Sequence, residues 1–391
     1  MNNYEIIFWT LLFLVFYTYL GYGIVLIILV KIKELFVEKL KDDGKVFEPR
    51  VTMFVAAFNE KDFIEEKIQN MLELDYPKDK IQLLFVTDGS NDGTPEMLKK
   101  YPEVSLMHKN ERAGKIGAIN RGMSCVKNPI VIYSDANAML NSRAVREIVK
   151  HYKDPQVGCV SGEKRIYKKD KDGASGSGEG IYWKYESLLK RFDFRLHSAV
   201  GAAGELFSVR TELHQHVEKD TLLDDFIISL RIAQKGYKIA YAPNAYASEY
   251  ASVSIKEEMK RKIRISAGGI QSIIRLASLF NFFKYGILTF QYISHRVLRW
   301  TVTPLALLAL LPINYLLIQE TNSVIYEVLF YGQILFYSFA LLGWYLESKQ
   351  IKVKILFIPF YFFFMNMCVF LGFFRFIKGS QSVLWERAKR G

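Results

Sequence analysis

Ionisable residues stand where apolar segments run out at four places in this chain, in one order: Asp88 in VTDGSNDGT, Asp135 in YSDAN, Asp224-Asp225 in LLDDF, and Arg261 with Arg264 in KRKIRIS. Such a series suits displacement at a nucleotide-activated centre. One carboxylate would face the nucleotide, one would hold a metal beside the diphosphate, and one would take a proton from the acceptor. Cations would then absorb the charge on the leaving group. Hydrophobic segments flank the series on both sides, so the chemistry is expected at a membrane.

Taken singly, each cluster has a plainer explanation. The run Asp88 to Gly93 resembles the start of a calcium loop, but its twelfth position is Lys99 where a bidentate Glu is needed. Ala113-Gly114-Lys115 does not fit a phosphate-binding loop, because the upstream glycine position is Lys109 and Ile116 follows the lysine. DGS and DGT are common turn sequences. Asp135 with Asn137 suits a helix cap, and Asp224-Asp225 suits the positive end of a helix dipole.

Half of the residues are hydrophobic, 15% are aromatic and 24% are charged, which implies a lipid-facing part and a soluble part. Ile6 to Val30 carries no charged residue and is long enough to cross about 30 Å of hydrocarbon at about 1.5 Å per residue. It lacks a short apolar core with a small-residue cleavage site, so residues 1–33 read as an uncleaved anchor. Lys31, Lys33, Lys39 and Lys41 follow it, which places that end in the cytoplasm and Met1 outside.

The formal net charge of +12 is concentrated, with nine Lys/Arg against two Glu from Ile255 to Trp300 and five against one from Arg375 to Gly391. Both segments adjoin apolar runs. They read equally as flanks touching lipid headgroups or as cations serving the chemistry. Nucleic acid is excluded as a partner, since the excess hugs membrane segments rather than a soluble face. Cys125, Cys159 and Cys368 have no metal-binding spacing and read as reduced thiols.

Between the apolar ends, residues 48–252 are enough for one soluble domain with its own core. VTMFVAAF and IQLLFVTD are each followed by a helical pattern, and VSLMHK and PIVIYSD supply further strands. Alternation of strand and helix predicts an α/β fold with a mostly parallel sheet and flanking helices. Ligands bind beyond the carboxyl ends of such strands, where Asn59, Asp88 and Asp135 fall. VGCVSGEKRIY reads as a strand pair and Gly173 to Gly180 as a mobile loop, either a plain linker or an acceptor gate. YWKYESLLKRFDFRL and DDFIISLRIAQKGY suit helices, and KIAYAPNAYASEY a last strand.

Taken together, VAAFNE, VTDGSNDGT, ERAGKIGAIN, YSDAN, GAAGELFSVR, LLDDFIISL, KRKIRISAGG, SHRVLRW and the terminal WERAKR resemble the membrane-integrated family-2 glycosyltransferases. That group includes hyaluronan, chitin, cellulose and poly-N-acetylglucosamine synthases. The resemblance implies a GT-A nucleotide-sugar-binding domain inserted between transmembrane helices. Ala56, Asn59, Glu60 and Asp88 would line the nucleotide pocket, with Asp88 facing uracil. Lys115 and Asn120 would contact the nucleotide and phosphates. Asp135 would hold Mg²⁺ or Mn²⁺ on the diphosphate, with Asn137 standing where the family's motif usually has a second Asp. Asp225 matches the family's base and Asp224 replaces its usual Glu. Gly201 to Gly204 resembles the turn beside the acceptor terminus. Arg264 keeps the diphosphate-binding cation of a Gln-x-x-Arg-Trp motif, whereas Arg261 and Ile265 replace its glutamine and its sugar-stacking tryptophan.

The carboxyl-terminal third sets the expected topology. Residues 253–298 read as amphipathic interfacial helices. Residues 299–346 read as two crossings joined by an outside loop with Glu320. Residues 355–376 would cross or be re-entrant or interfacial, the latter favoured because a basic tail follows and Pro359 interrupts the run. In that tail, residues 377–391, Trp385 and Arg390 are similar to a gating motif of hyaluronan synthases. The predicted function is an inverting, metal-dependent hexosyltransferase in the cytoplasmic membrane with a cytosolic catalytic domain. It would use a UDP-sugar to extend a surface polysaccharide, with membrane lipids and an export partner around it. The alternatives are one sugar added to a polyprenyl-linked acceptor, or a non-catalytic nucleotide-sugar-binding subunit of an export system.

Overall fold

The computed structural model describes residues 2–37, 46–167, 174–250, 252, 254–349, 351 and 353–379. Trp385 and Arg390 therefore lie outside the described residues. Helix α1, Asn3–Phe36, runs through a π turn at Tyr17–Gly21. Strand and helix then alternate through β1 Val51–Ala57, α2 Lys61–Leu72, β2 Ile81–Asp88, α3 Thr94–Leu98, β3 Val104–Lys109, α4 Gly114–Gly122 and β4 Ile130–Ser134. There follow β5 Met139–Leu140, α5 Ala144–Val149, β6 Val157–Tyr167, α6 Ala174–Leu196, β7 Leu206–Arg210, α7 Asp224–Gln234 and β8 Lys238–Tyr250. The last helices are α8 Ile255–Arg275, α9 Ile287–Tyr292, α10 Val302–Glu320, α11 Val324–Ser348 and α12 Lys354–Ile377.

Eight strands form one sheet in the order β3-β2-β1-β4-β7-β6-β8-β5. The pairs β3/β2, β2/β1, β1/β4 and β6/β8 are parallel, while β7 and β5 run antiparallel to their neighbours. All seven residues of β1 are buried, which is why its sequence is a continuous apolar run. Alternate residues serve opposite faces. Phe54 and Ala56 pack with Ile116 and Ile119 of α4 and with α7, whereas Met53 and Val55 pack with Ile64 and Ile68 of α2. After β3 the chain returns to the other side of β1, so a crevice opens beyond the ends of β1 and β4.

Two expectations are corrected. VGCVSGEKRIY is one strand rather than a pair, because its glycines mark irregularities in register at Val157/Cys159 and Gly162/Glu163, not a turn. The Gly/Ser-rich stretch does not stay a loop, since α6 begins at Ala174 inside it. Further along α6, Leu189 and Leu196 join Tyr22, Leu26 and Val30 of α1 in one cluster.

Four helices, α1, α10, α11 and Ile355–Ile377 within α12, are long and apolar enough to cross a membrane, by length and composition. Asn2 donates to Glu320 Oε2 at 3.1 Å and Trp9 to the Tyr326 hydroxyl at 3.3 Å. The start of α1, the end of α10 and the start of α11 thus meet at one end. At the other end Asp193 of α6 accepts from Tyr22 of α1, and His295 Nδ1 lies 2.6 Å from its Oδ2. Helix α12 continues through Pro359 without a break. Its first turns lie against Gly343 near the end of α11, and Gly372 packs on Ser266 and Ala267 of α8.

Candidate active site

The loops after β1 and β2 are tied to each other. Asn59, the one non-glycine residue with positive φ among the described residues (52°), accepts from Asn91 N at 3.0 Å and donates back to Asn91 Oδ1 at 3.1 Å. Asp92 accepts from the backbone of Lys61 and Thr94, each at 3.0 Å, and so ties the start of α2 to the start of α3. Asp88, buried at the end of β2, accepts from Ala113 N at 2.9 Å and Gly114 N at 2.7 Å and pairs with Arg121 at 3.3 Å. Its carboxylate thus fastens the amino end of α4, which carries Lys115. Asn120 on the same helix brackets Val217, donating to its carbonyl at 2.8 Å and accepting from its amide at 3.2 Å.

Beyond the strand ends lies a cavity of about 570 Å³ lined by Glu60, Lys115, Asp135, Asn137, Asp224 and Asp225. Gly204, Arg261 and Arg264 line it too. Ala56, Asn59, Asp88, Asn120 and Gly201 are not among the lining residues. Lys115 Nζ stands between two carboxylates, 3.0 Å from Asp135 Oδ1 and 3.3 Å from Asp224 Oδ2. Burial opposes its charge, but Asp135, Asp224 and Asp225 together hold the ammonium above its ordinary range.

Asp225 faces the same space from the first turn of α7. Burial and then the neighbouring Asp224 push its carboxyl up to about 7, with Lys115 opposing. A carboxyl with that value is about half ionised near neutrality, so a carboxylate basic enough to take a proton is present at working pH. The GAAGE turn makes room for it. A Cβ at Gly204 would lie 3.2 Å from Asp225 Oδ2, and Gly201 has φ +87° with its missing side chain replaced by the Phe226 ring.

On α8, Arg261 is committed to Glu258, with Nε and a terminal nitrogen each 3.0 Å from its carboxylate. Arg264, one turn on, makes no hydrogen bond or ion pair among the described residues and faces the cavity. Burial lowers its affinity for a proton while Asp224 works the other way. An arginine remains charged in such a setting. Its fork is available to an anion.

Sequence reasoning did not find the far end of the cavity. Trp183, Glu186 and Lys190 of α6, Arg296 and Trp300, and Tyr19 of α1 line it. Nothing in YWKYESLLKRFDFRL distinguishes Glu186 or Lys190 from residues on the wet face of a helix. Glu186 accepts from Arg296, from Arg299 at 3.2 Å and from His295 at 3.3 Å. Despite burial, these cations hold its carboxyl well below the usual range.

A mostly parallel sheet, a carboxylate-lined crevice at its switch point and the helix carrying Asp224 and Asp225 beside it define a GT-A glycosyltransferase fold. Residues 52–217 match the family model "Glycosyl transferase family 2", and the chain carries a family-2 glycosyltransferase domain. It is similar to the poly-beta-1,6-N-acetyl-D-glucosamine synthase of Staphylococcus aureus strain MSSA476, at 27% identity over 236 residues, 58% of this chain and 56% of the relative. The synthase of that name from Staphylococcus epidermidis is 25% identical over the same shares. The chain thus spans just over half the length of these curated relatives. Among solved structures, the mannosyltransferase PcManGT from Pyrobaculum calidifontis, in complex with GDP-Man and Mn²⁺, superposes with a TM-score of 0.72 at 21% identity. That likeness covers 97% of this chain and 100% of the other.

Proposed function

We propose that this chain is an inverting hexosyltransferase of the cytoplasmic membrane that moves a sugar from a UDP-sugar to a growing surface polysaccharide. One observation carries the reading. Asp225, the Lys115–Asp135 pair and the uncommitted Arg264 face a single cavity. Asp225 takes the proton from an acceptor hydroxyl as its oxygen bonds to the anomeric carbon. The bond from that carbon to the diphosphate breaks on the opposite side, which inverts the centre. Arg264 and Lys115 receive the charge that develops on the leaving group. Asp224 keeps Lys115 in place and raises the basicity of Asp225.

Asp135 and Asn137 would hold Mg²⁺ or Mn²⁺. Among the described residues no three carboxylate, imidazole or thiolate groups form a metal cage. Two oxygen donors on one wall nevertheless suit a hard cation that takes its other ligands from a diphosphate and water. When bound, it would neutralise the leaving diphosphate. The test is to incubate membranes containing the protein with a panel of labelled UDP-sugars. Turnover of one donor, lost in Asp225→Asn, supports the reading; no turnover of any donor, or full activity of that variant, overturns it.

A further inference from the structure

The cavity does not end at the base. Along α12 it is lined by Phe357, Ile358, Tyr361, Phe362, Met365 and Val369, a spacing of i, i+1, i+4, i+5, i+8 and i+12 that follows one helix face. From first to last the stripe runs about 18 Å at about 1.5 Å per residue. The one amide along it, Asn366, is occupied within the protein, accepting from the Tyr19 hydroxyl at 2.7 Å and donating to Phe362 O at 2.9 Å. A passage for a sugar chain needs polar partners for its hydroxyls. Apart from the Tyr361 hydroxyl, this wall is apolar and suits hydrocarbon instead.

The same cavity is lined by Lys190 of α6. It is 5% exposed and makes no hydrogen bond or ion pair among the described residues. Its neighbour Glu186 is engaged by His295, Arg296 and Arg299. Glu186, Glu163 and Glu205 attract its charge from nearby without bonding it, so this buried ammonium keeps its donors for an anion entering the cavity. The lysine and the stripe therefore ask for the two parts of one ligand.

Both ends of α12 also contact elements at the same end of the helix bundle. Its first turns meet the end of α11 remote from Asn2 and Glu320, and Gly372 meets α8, whose Gly268 packs on Leu222 and Leu223 beside the base. Between those contacts Phe362 packs on Phe336, midway along α11, and on Tyr19 of α1, so the stripe reaches into the apolar part of the helix bundle.

We infer that the acceptor is carried on a phosphate-linked hydrocarbon chain, with the chain along α12 and the phosphate at Lys190. This rests on the reading of the cavity as a site of glycosyl transfer. The test uses the full-length protein in nanodiscs and farnesyl phosphate bearing a diazirine on its tail, with labelled peptides mapped by mass spectrometry. UDP binding is titrated in the same preparations. Labelling within residues 357–369 is expected, competed at least tenfold better by farnesyl phosphate than by farnesol, inorganic phosphate or phosphatidylglycerol. Met365→Trp and Ile358→Trp should each reduce labelling with UDP binding intact, and Lys190→Met should abolish the preference for the phosphate over the alcohol. Equal competition by phosphatidylglycerol would mean a bulk-lipid site and overturn the inference, as would labelling elsewhere or an unchanged preference in Lys190→Met. Retained UDP binding without specific labelling sinks the acceptor inference alone, whereas absence of UDP binding counts against the transferase reading beneath it.

Discussion

Gly204 faces Asp225 so closely that a methyl group added to it would stand 3.2 Å from the carboxylate Oδ2. Gly204→Ala should displace the base without disturbing the sheet. A misplacement of this kind can cost up to about 100-fold in rate, so turnover should fall about tenfold or more while UDP affinity changes little. Steady-state kinetics beside UDP titration would show the split.

As the proposed base, Asp225 would act only when ionised, and its carboxyl is pushed up to about 7 by burial and Asp224. Turnover should therefore fall as the pH drops through about 7 and level off above it. Asp224→Asn removes a negative neighbour, which lowers the pKa of Asp225 and moves the acid limb of the pH profile downward. Asp225→Asn should lose about 10²-fold or more at every pH.

The proposed donor set of Asp135 and Asn137 would be weak in charge, so activity should disappear on chelation and return with Mg²⁺ or Mn²⁺. Asn137→Asp adds a carboxylate to the site and should lower the metal concentration giving half-maximal turnover. Asn137→Ala should raise it. Titrating metal into chelated protein tests both directions.

Arg264 offers a planar fork with no protein partner among the described residues, and the leaving diphosphate can use both of its arms. Arg264→Gln should reduce turnover by about 10²-fold, the scale seen when one preorganised group for developing charge is removed. Arg264→Lys should recover part of this, because charge returns without the fork.

Glu186 is 2% exposed and meets His295, Arg296 and Arg299 at the junction of α6 with the membrane helices. Glu186→Gln removes the charge that His295, Arg296 and Arg299 share, and breaking such a network costs about 3 kcal/mol or more. A lower thermal unfolding midpoint in detergent would show it. Because the cations depress the carboxyl, its contribution is present at neutral pH and lost as the pH falls through the folded pKa, so wild type and variant should converge in acid.

Much of the architecture was legible in local pattern. Apolar runs alternating with helical periods gave β1 to β4 and their helices, since a strand buried on both faces must be apolar throughout. The glycines of VGCVSGEKRIY and of residues 173–180 misled for the opposite reason. A glycine records that space is scarce or the backbone unusual, and whether that means a turn, a register irregularity or a helix start depends on what packs against it.

At the site, the sequence by itself determined which residue types stand at the ends of strands and helices: Asp88, Asp135, Asp224, Asp225 and Arg264. Chemistry of that kind follows from ionisable groups placed where backbone regularity stops. The tertiary structure alone decided how they divide. Asp88 turns to the backbone of α4 and Arg261 to Glu258, while Lys115 joins Asp135 to Asp224 and Arg264 is left facing the cavity. It also brought Lys190 and the face of α12 to the same space. Those residues carry no local signature, because an isolated lysine and a run of phenylalanines acquire a role only from what the fold sets opposite them.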